Sequence, residues 1–143
     1  MEVTWSNTLD DIDWGELEAL YRAAPLGNKN AIDLKTVFTN SRFCCFALEG
    51  DRLVGVGRVL ADGVDCAYLC DVAVLPQLQG TGIGKEMVNR LVASAAGHKK
   101  IILYAVPGKE SFYRGLGFRR MLTAMAIFES EGQAVERGYV ENA

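Results

Sequence analysis

Apolar residues recur in two rhythms along this chain. Nearly continuous apolar runs at Phe43–Leu48, Leu53–Leu60, Cys66–Leu75 and Lys100–Val106 predict strands, while three- and four-residue spacings predict helices. Val3 and Trp5 alternate with polar neighbours and predict a short first strand. Behind an acidic, cap-rich stretch at 8–13, Trp14, Leu17, Leu20 and Tyr21 keep a helical spacing over about 14–23. A breaker cluster at 24–30 follows, and Leu34, Val37 and Phe38 then mark a second helix with Asp33 near its start. Glu49-Gly50-Asp51-Arg52 and Asp62-Gly63 read as turns, so the three strands between Phe43 and Leu75 are expected to pair antiparallel.

The second half changes character. Ile83, Met87, Leu91 and Val92 form one apolar face of a helix running from Gly82 to about Ala96, closed by Gly97-His98. Lys100–Val106 reads as a central strand, and a helix joining two strands implies a parallel, right-handed crossover. Lys109–Leu116 predicts a short helix ended by Gly117, Phe118–Phe128 a last strand or pair of strands, and 129–143 an irregular tail. The fold class expected is α/β (α+β): a mixed, mostly antiparallel central sheet flanked by helices, in a single domain over 1–143.

Composition narrows the partners. The chain has 143 residues, half of them hydrophobic, and a net charge of −3, which points to neither disorder nor a nucleic-acid surface. The four cysteines lack any Cys-x-x-Cys pattern and share the chain with one histidine, so buried free thiols are expected and no metal. The start of the chain lacks a signal-like apolar run and no stretch is long enough to span a membrane, which points to a cytoplasmic protein.

Candidate chemistry concentrates at 71–91. Gly80, Gly82 and Gly84 follow an apolar strand and open a helix, so backbone amides and the positive helix end converge on one place, as a pyrophosphate requires. The Gly-x-Gly-x-Gly spacing matches neither the dinucleotide fingerprint nor the Walker pattern. Gln79-Gly80-Thr81-Gly82-Ile83-Gly84, preceded by Val72-Ala73-Val74 and Pro76, instead resembles the Gln/Arg-x-x-Gly-x-Gly/Ala signature of the GCN5-related N-acetyltransferases (GNAT). Phe112-Tyr113-Arg114-Gly115-Leu116-Gly117-Phe118 resembles that family's Tyr-x-x-x-Gly-Phe block.

The resemblance implies the acyl-CoA N-acyltransferase fold and acetyl-CoA as co-substrate, with no metal. It puts Gln79, Gly80, Thr81, Gly82, Ile83, Gly84 and Lys85 on the pyrophosphate and the edge of Val72, Ala73 and Val74 on the pantetheine arm. It implies Tyr113 as the acid that protonates the leaving thiolate, a phenol being a weaker acid than a thiol. It makes Asp71 a candidate base, with Glu110 a second carboxylate near Tyr113, and lets the interhelical loop carrying Leu26 and Asn28 border the acceptor. Arg58 interrupts an apolar strand and is a candidate clamp for an anion on the acceptor; Arg22 has the same option, with a solvated role as the plainer one. A surface role fits His98.

Partial similarity to the glucosamine-6-phosphate acetyltransferase branch runs through Asp71–Val74, Lys100–Leu103 and Phe112-Tyr113. It breaks at Tyr104 and Lys109, where that branch carries aspartate and asparagine. The function implied is transfer of acetyl to the primary amine of a small molecule in a ternary complex. A regulatory acetyl-CoA-binding module and a peptide acetyltransferase are the alternatives. An edge strand near the C-terminus makes a homodimer an option.

Overall fold

The computed structural model describes residues 2–24, 26 and 29–143. The chain forms two compact units, one ending at Leu103 and the other beginning at Tyr104.

The first unit is built on a five-stranded sheet in the order β1 (Thr4–Ser6), β2 (Phe43–Glu49), β3 (Arg52–Ala61), β4 (Cys66–Val74), β5 (Lys100–Ile102). The first four strands pair antiparallel and β5 joins β4 in parallel, as a helical crossover between them requires. Helices α1 (Trp14–Ala23) and α2 (Ala31–Thr39) supply Leu17, Leu20, Tyr21, Leu34 and Phe38 to a buried cluster with Phe46, Val56 and Ala73 of the sheet. Phe38 anchors it, its ring centroid 5.6 Å from Phe46 and 6.2 Å from Trp14. Fully burying side chains of this size stabilises by roughly 1.5–3 kcal/mol each. Both helices start on side-chain caps: Asp13 accepts from the amides of Gly15 and Glu16, and Asn30 from that of Asp33.

Helix α3 (Ile83–Ser94) buries Ile83, Met87, Val88 and Leu91. Its close approach depends on Gly57 in β3, where an added Cβ would lie 2.5 Å from Leu91 Cδ1. All four cysteines are free thiols, and burial pushes those of Cys45 and Cys70 up to about 11.

The turn between β3 and β4 holds a local anion. Asp62 Oδ1 accepts from the amides of Val64, Asp65 and Cys66 at 2.8, 2.7 and 3.2 Å, and these bonds hold its carboxyl below the usual range. His98 ties the same turn to the end of α3, its Nε2 accepting from the Gly63 amide at 3.0 Å. Because the folded carboxyl ionises at lower pH than the unfolded one, its contribution is complete above the ordinary carboxylate value. It is lost as pH falls through the depressed folded value. Asp62→Asn should therefore lower the melting temperature at neutral pH, change it least in acid, and so flatten the acid limb of a melting-temperature-against-pH curve.

The second unit contains α4 (Glu110–Gly115) and α5 (Glu131–Glu136), the latter inside the tail expected to be irregular. Two further expectations are corrected. The strand expected to run centrally to Val106 stops at Ile102 and is the last in the sheet order. No strand forms over Phe118–Phe128, because a strand needs a paired backbone and, among the described residues, 119–128 take no hydrogen-bond partner. Among the described residues, no helix is long and apolar enough to cross a membrane.

Candidate active site

Strand β4 carries the first part of the site. Its pairing with β5 ends at Tyr68↔Ile102, yet it continues six residues further to Val74, so that side of Leu69–Val74 has no strand partner among the described residues. Against β3 the register jumps from Arg58↔Cys70 to Val56↔Ala73, leaving Asp71 and Val72 opposite Gly57. This is a β-bulge, and its first residue, Asp71, has φ of 55°, in the left-handed region that side chains other than glycine rarely adopt. Bulges re-aim the strand that carries them, which here is the stretch Val72-Ala73-Val74.

The unusual backbone at Asp71 is held from three sides. Tyr21, fully buried in α1, donates its hydroxyl to the Asp71 carbonyl at 2.7 Å. Burial, reinforced by the Asp71 charge, raises the Tyr21 phenol well above its ordinary value, so it stays protonated and donates. Arg58 Nε contacts Asp71 Oδ2 at 2.9 Å, and Lys29 Nζ reaches Oδ1 at 3.3 Å. Arg58 Nη1 also donates to Ser41 Oγ at 3.2 Å, and the Lys29 ammonium sits 5.6 Å from the Tyr21 ring centroid. Arg58 and Asp71, expected in separate roles, are thus brought together as an ion pair. Lys29, Ser41 and Tyr21 were not singled out, since a lysine in a loop and a tyrosine on an apolar helix face give no functional signal.

Tyr21→Phe removes one buried donor and its bond to the bulge carbonyl. It should lower stability by about 1–3 kcal/mol in chemical denaturation.

Past β4, a 3-10 turn (Pro76–Leu78) leads into the glycine turn. Gln79 Nε2 donates back to the Val74 carbonyl at 3.3 Å, and the Thr81 hydroxyl donates to the Leu78 carbonyl. Gly80 and Gly82 have φ of 82° and 93°, and a Cβ at either would meet nothing within 4 Å, so the turn faces open space. Gly82 is the N-cap of α3 and no side chain caps the helix. The first helical bond runs from the Glu86 amide to the Gly82 carbonyl at 3.1 Å, and among the described residues the amides of Ile83, Gly84 and Lys85 have no protein acceptor. Outward amides, an uncapped helix and the absence of side-chain bulk fit a pyrophosphate.

Other predicted residues divide clearly. Arg22 is exposed and pairs with Glu18 one turn away, the plain role. Leu26 is half-buried and packs on the core; Asn28 lies outside the described residues. Lys85 is exposed at the start of α3. In the second unit, Tyr113 lies between Phe112 and Phe118, with ring centroids 5.0 and 5.8 Å away, and burial raises its phenol above the ordinary value. The amides of Leu116 and Phe118 both donate to its carbonyl, fixing the residue at the end of α4. Glu110 accepts from the Gly108 amide at 3.1 Å, a local turn contact. Among the described residues there is no cluster of ligands for a metal.

A mixed sheet whose fourth strand bulges, parts from the fifth and runs into a glycine turn and helix is the acyl-CoA N-acyltransferase fold. The chain belongs to the acetyltransferase (GNAT) family, whose model matches residues 7–118. It is 32% identical over 113 residues to the uncharacterized N-acetyltransferase ycf52-like of Prochlorococcus marinus, covering 75% of this chain and 63% of that protein. It is 40% identical over 87 residues to the chloroplastic serotonin N-acetyltransferase 2 of Oryza sativa, covering 57% and 44%. The chain thus spans less than two thirds of the length of these two relatives. Among solved structures, a GNAT family acetyltransferase from Brucella melitensis in complex with acetyl-CoA superposes with a TM-score of 0.64 at 22% identity, over 83% of this chain and 84% of that one.

Proposed function

We propose that the chain is an acetyl-CoA-dependent N-acetyltransferase that acetylates the primary amine of a small molecule by direct attack in a ternary complex. The observation that carries this reading is the open, uncapped glycine turn at 79–84, placed directly after the bulged free edge of β4. The two units work as one N-acetyltransferase domain in this reading, in the cytoplasm, as a homodimer.

Acetyl-CoA supplies an activated acetyl group when bound. The amides of the glycine turn and the first turn of α3 hold its pyrophosphate, with Gln79, Thr81 and Lys85 alongside. The edge of Val72, Ala73 and Val74 lies along the pantetheine arm, and a backbone N–H at Val72 or Ala73 faces the carbonyl oxygen as charge develops there. Tyr113 supplies the proton that the departing thiolate takes up.

Asp71 has a different role from the base that its position invites. Its carboxylate is engaged by Arg58 and Lys29 and its carbonyl by Tyr21, so it shapes the bulge that aims the adjacent amides. Arg58 and Lys29 bring two positive charges against this single carboxylate, which suits an acceptor carrying an anionic group near its amine. Leu26 borders that acceptor from the interhelical loop.

The test is thiol release with acetyl-CoA against amino acids, amino sugars, arylalkylamines, polyamines and short peptides, with titration calorimetry of the coenzyme in parallel. Turnover on one class of small amine supports the reading; coenzyme binding without turnover on any of them favours a regulatory module.

A further inference from the structure

Three charged side chains meet at the bulge of β4, and their charges do not cancel. Arg58 and Lys29 both contact Asp71, and no second carboxylate contacts either of them among the described residues. Two cations against one anion leave one positive charge over. The two cations are held differently. Arg58 rises from β3, contacts Asp71 Oδ2 at 2.9 Å and donates to Ser41 Oγ at 3.2 Å, so its guanidinium is fixed at two points. Lys29 comes from the segment between α1 and α2, and its ammonium carries three donors. Its one charged contact is Asp71 Oδ1 at 3.3 Å, which leaves donors unused. Its side chain is 23% exposed against 13% for Arg58, so the uncancelled charge is reached from solvent at Lys29.

We propose that Lys29 selects the acceptor: it binds the oxyanion, carboxylate or phosphate, of a primary amine that carries one, while Asp71 holds the ammonium in place. The inference rests on the acetyl-transfer reading for where the amine sits. Asp71 directly precedes Val72 and Ala73, whose amides that reading sets at the reacting carbonyl, so an anion on Lys29 lies close to the attacking amine. Charge then decides the class. An amine arrives as an ammonium, and a purely cationic acceptor such as a polyamine or arylalkylamine adds to the excess charge. An acceptor with its own anion cancels that excess, and partial burial of the cluster makes the difference larger than in water. Lys29 is also the cation that can be changed without undoing the bulge. In its absence Arg58 still holds Oδ2 and Tyr21 still donates to the Asp71 carbonyl.

The experiment is calorimetric titration of the full chain, with coenzyme A present, in wild-type, Lys29→Gln and Lys29→Arg forms. The probes are glycine and glutamate for the carboxylate, phosphoethanolamine for the phosphate, and tyramine and putrescine as amines without an anion; thiol release from acetyl-CoA is followed on the same compounds. Wild type is expected to favour the anion-bearing amines tenfold or more. Lys29→Gln should lower that ratio about tenfold, through KM more than kcat, with circular dichroism unchanged, and Lys29→Arg should keep it. The arm that shows the dependence identifies the anion as carboxylate or phosphate. A wild type that binds the two groups alike or binds neither overturns the proposal, as does a preference that survives in Lys29→Gln. Lys29-dependent binding without thiol release upholds the anion site and counts against acetyl transfer alone.

Discussion

Tyr113→Phe should lower kcat about a hundredfold, the lower end of what a positioned acid contributes, with acetyl-CoA affinity nearly unchanged. The substitution removes one oxygen and leaves the ring between Phe112 and Phe118, so packing and the short helix α4 persist. Burial raises the phenol above its ordinary value, so at neutral pH it carries its proton and has one to give. The pH profile separates this role from a structural one. A wild-type rate that needs protonated Tyr113 falls as pH rises through the raised phenol value; the phenylalanine variant lacks that limb. Titration calorimetry and steady-state kinetics on the two proteins check both halves. Full turnover in the variant would remove the residue from the chemistry.

Gly82→Val should weaken acetyl-CoA binding by tenfold or more. A β-branched residue at φ of 93° works against the backbone, at about 1–2 kcal/mol for an ordinary side chain in this region. Relief of that strain turns the peptide whose neighbours present the α3 amides, and the new side chain fills the open space in front of them. Core packing is untouched, since nothing lies within 4 Å of the new Cβ. The signature is a higher coenzyme dissociation constant with folding retained, read by calorimetry and circular dichroism. An unchanged affinity would mean that the pyrophosphate is held elsewhere.

The parts of the molecule written in local rhythm were legible in the sequence. The span of α1, the antiparallel trio β2–β3–β4 and the crossover through α3 follow from apolar spacing and turn residues, all short-range signals. The glycine turn was legible because positive φ selects glycine, and both Gly80 and Gly82 have it. The bulge was not, because its residue in the left-handed region is Asp71, held there by a tyrosine fifty residues away and by two cations. Such a position is set by tertiary bonds and leaves no mark in its own neighbourhood. Phe118–Phe128 failed for the opposite reason: its composition is that of a strand, but a strand exists only with a paired backbone, and none of the described residues pairs with it. Lys100–Val106 failed in part on the same ground, its ladder ending at Tyr68↔Ile102, before β4 reaches its bulge.

The central claim is that this chain binds acetyl-CoA at the glycine turn and passes its acetyl group to an amine. The most direct measurement is thiol release from acetyl-CoA over the amine panel, with mass spectrometry of the acceptor in the same reaction. Acceptor-dependent release with a matching acetylated amine, both lowered tenfold or more by Gly82→Val at subsaturating coenzyme, is the predicted result. No detectable coenzyme binding by the folded wild-type protein would contradict the account at its base.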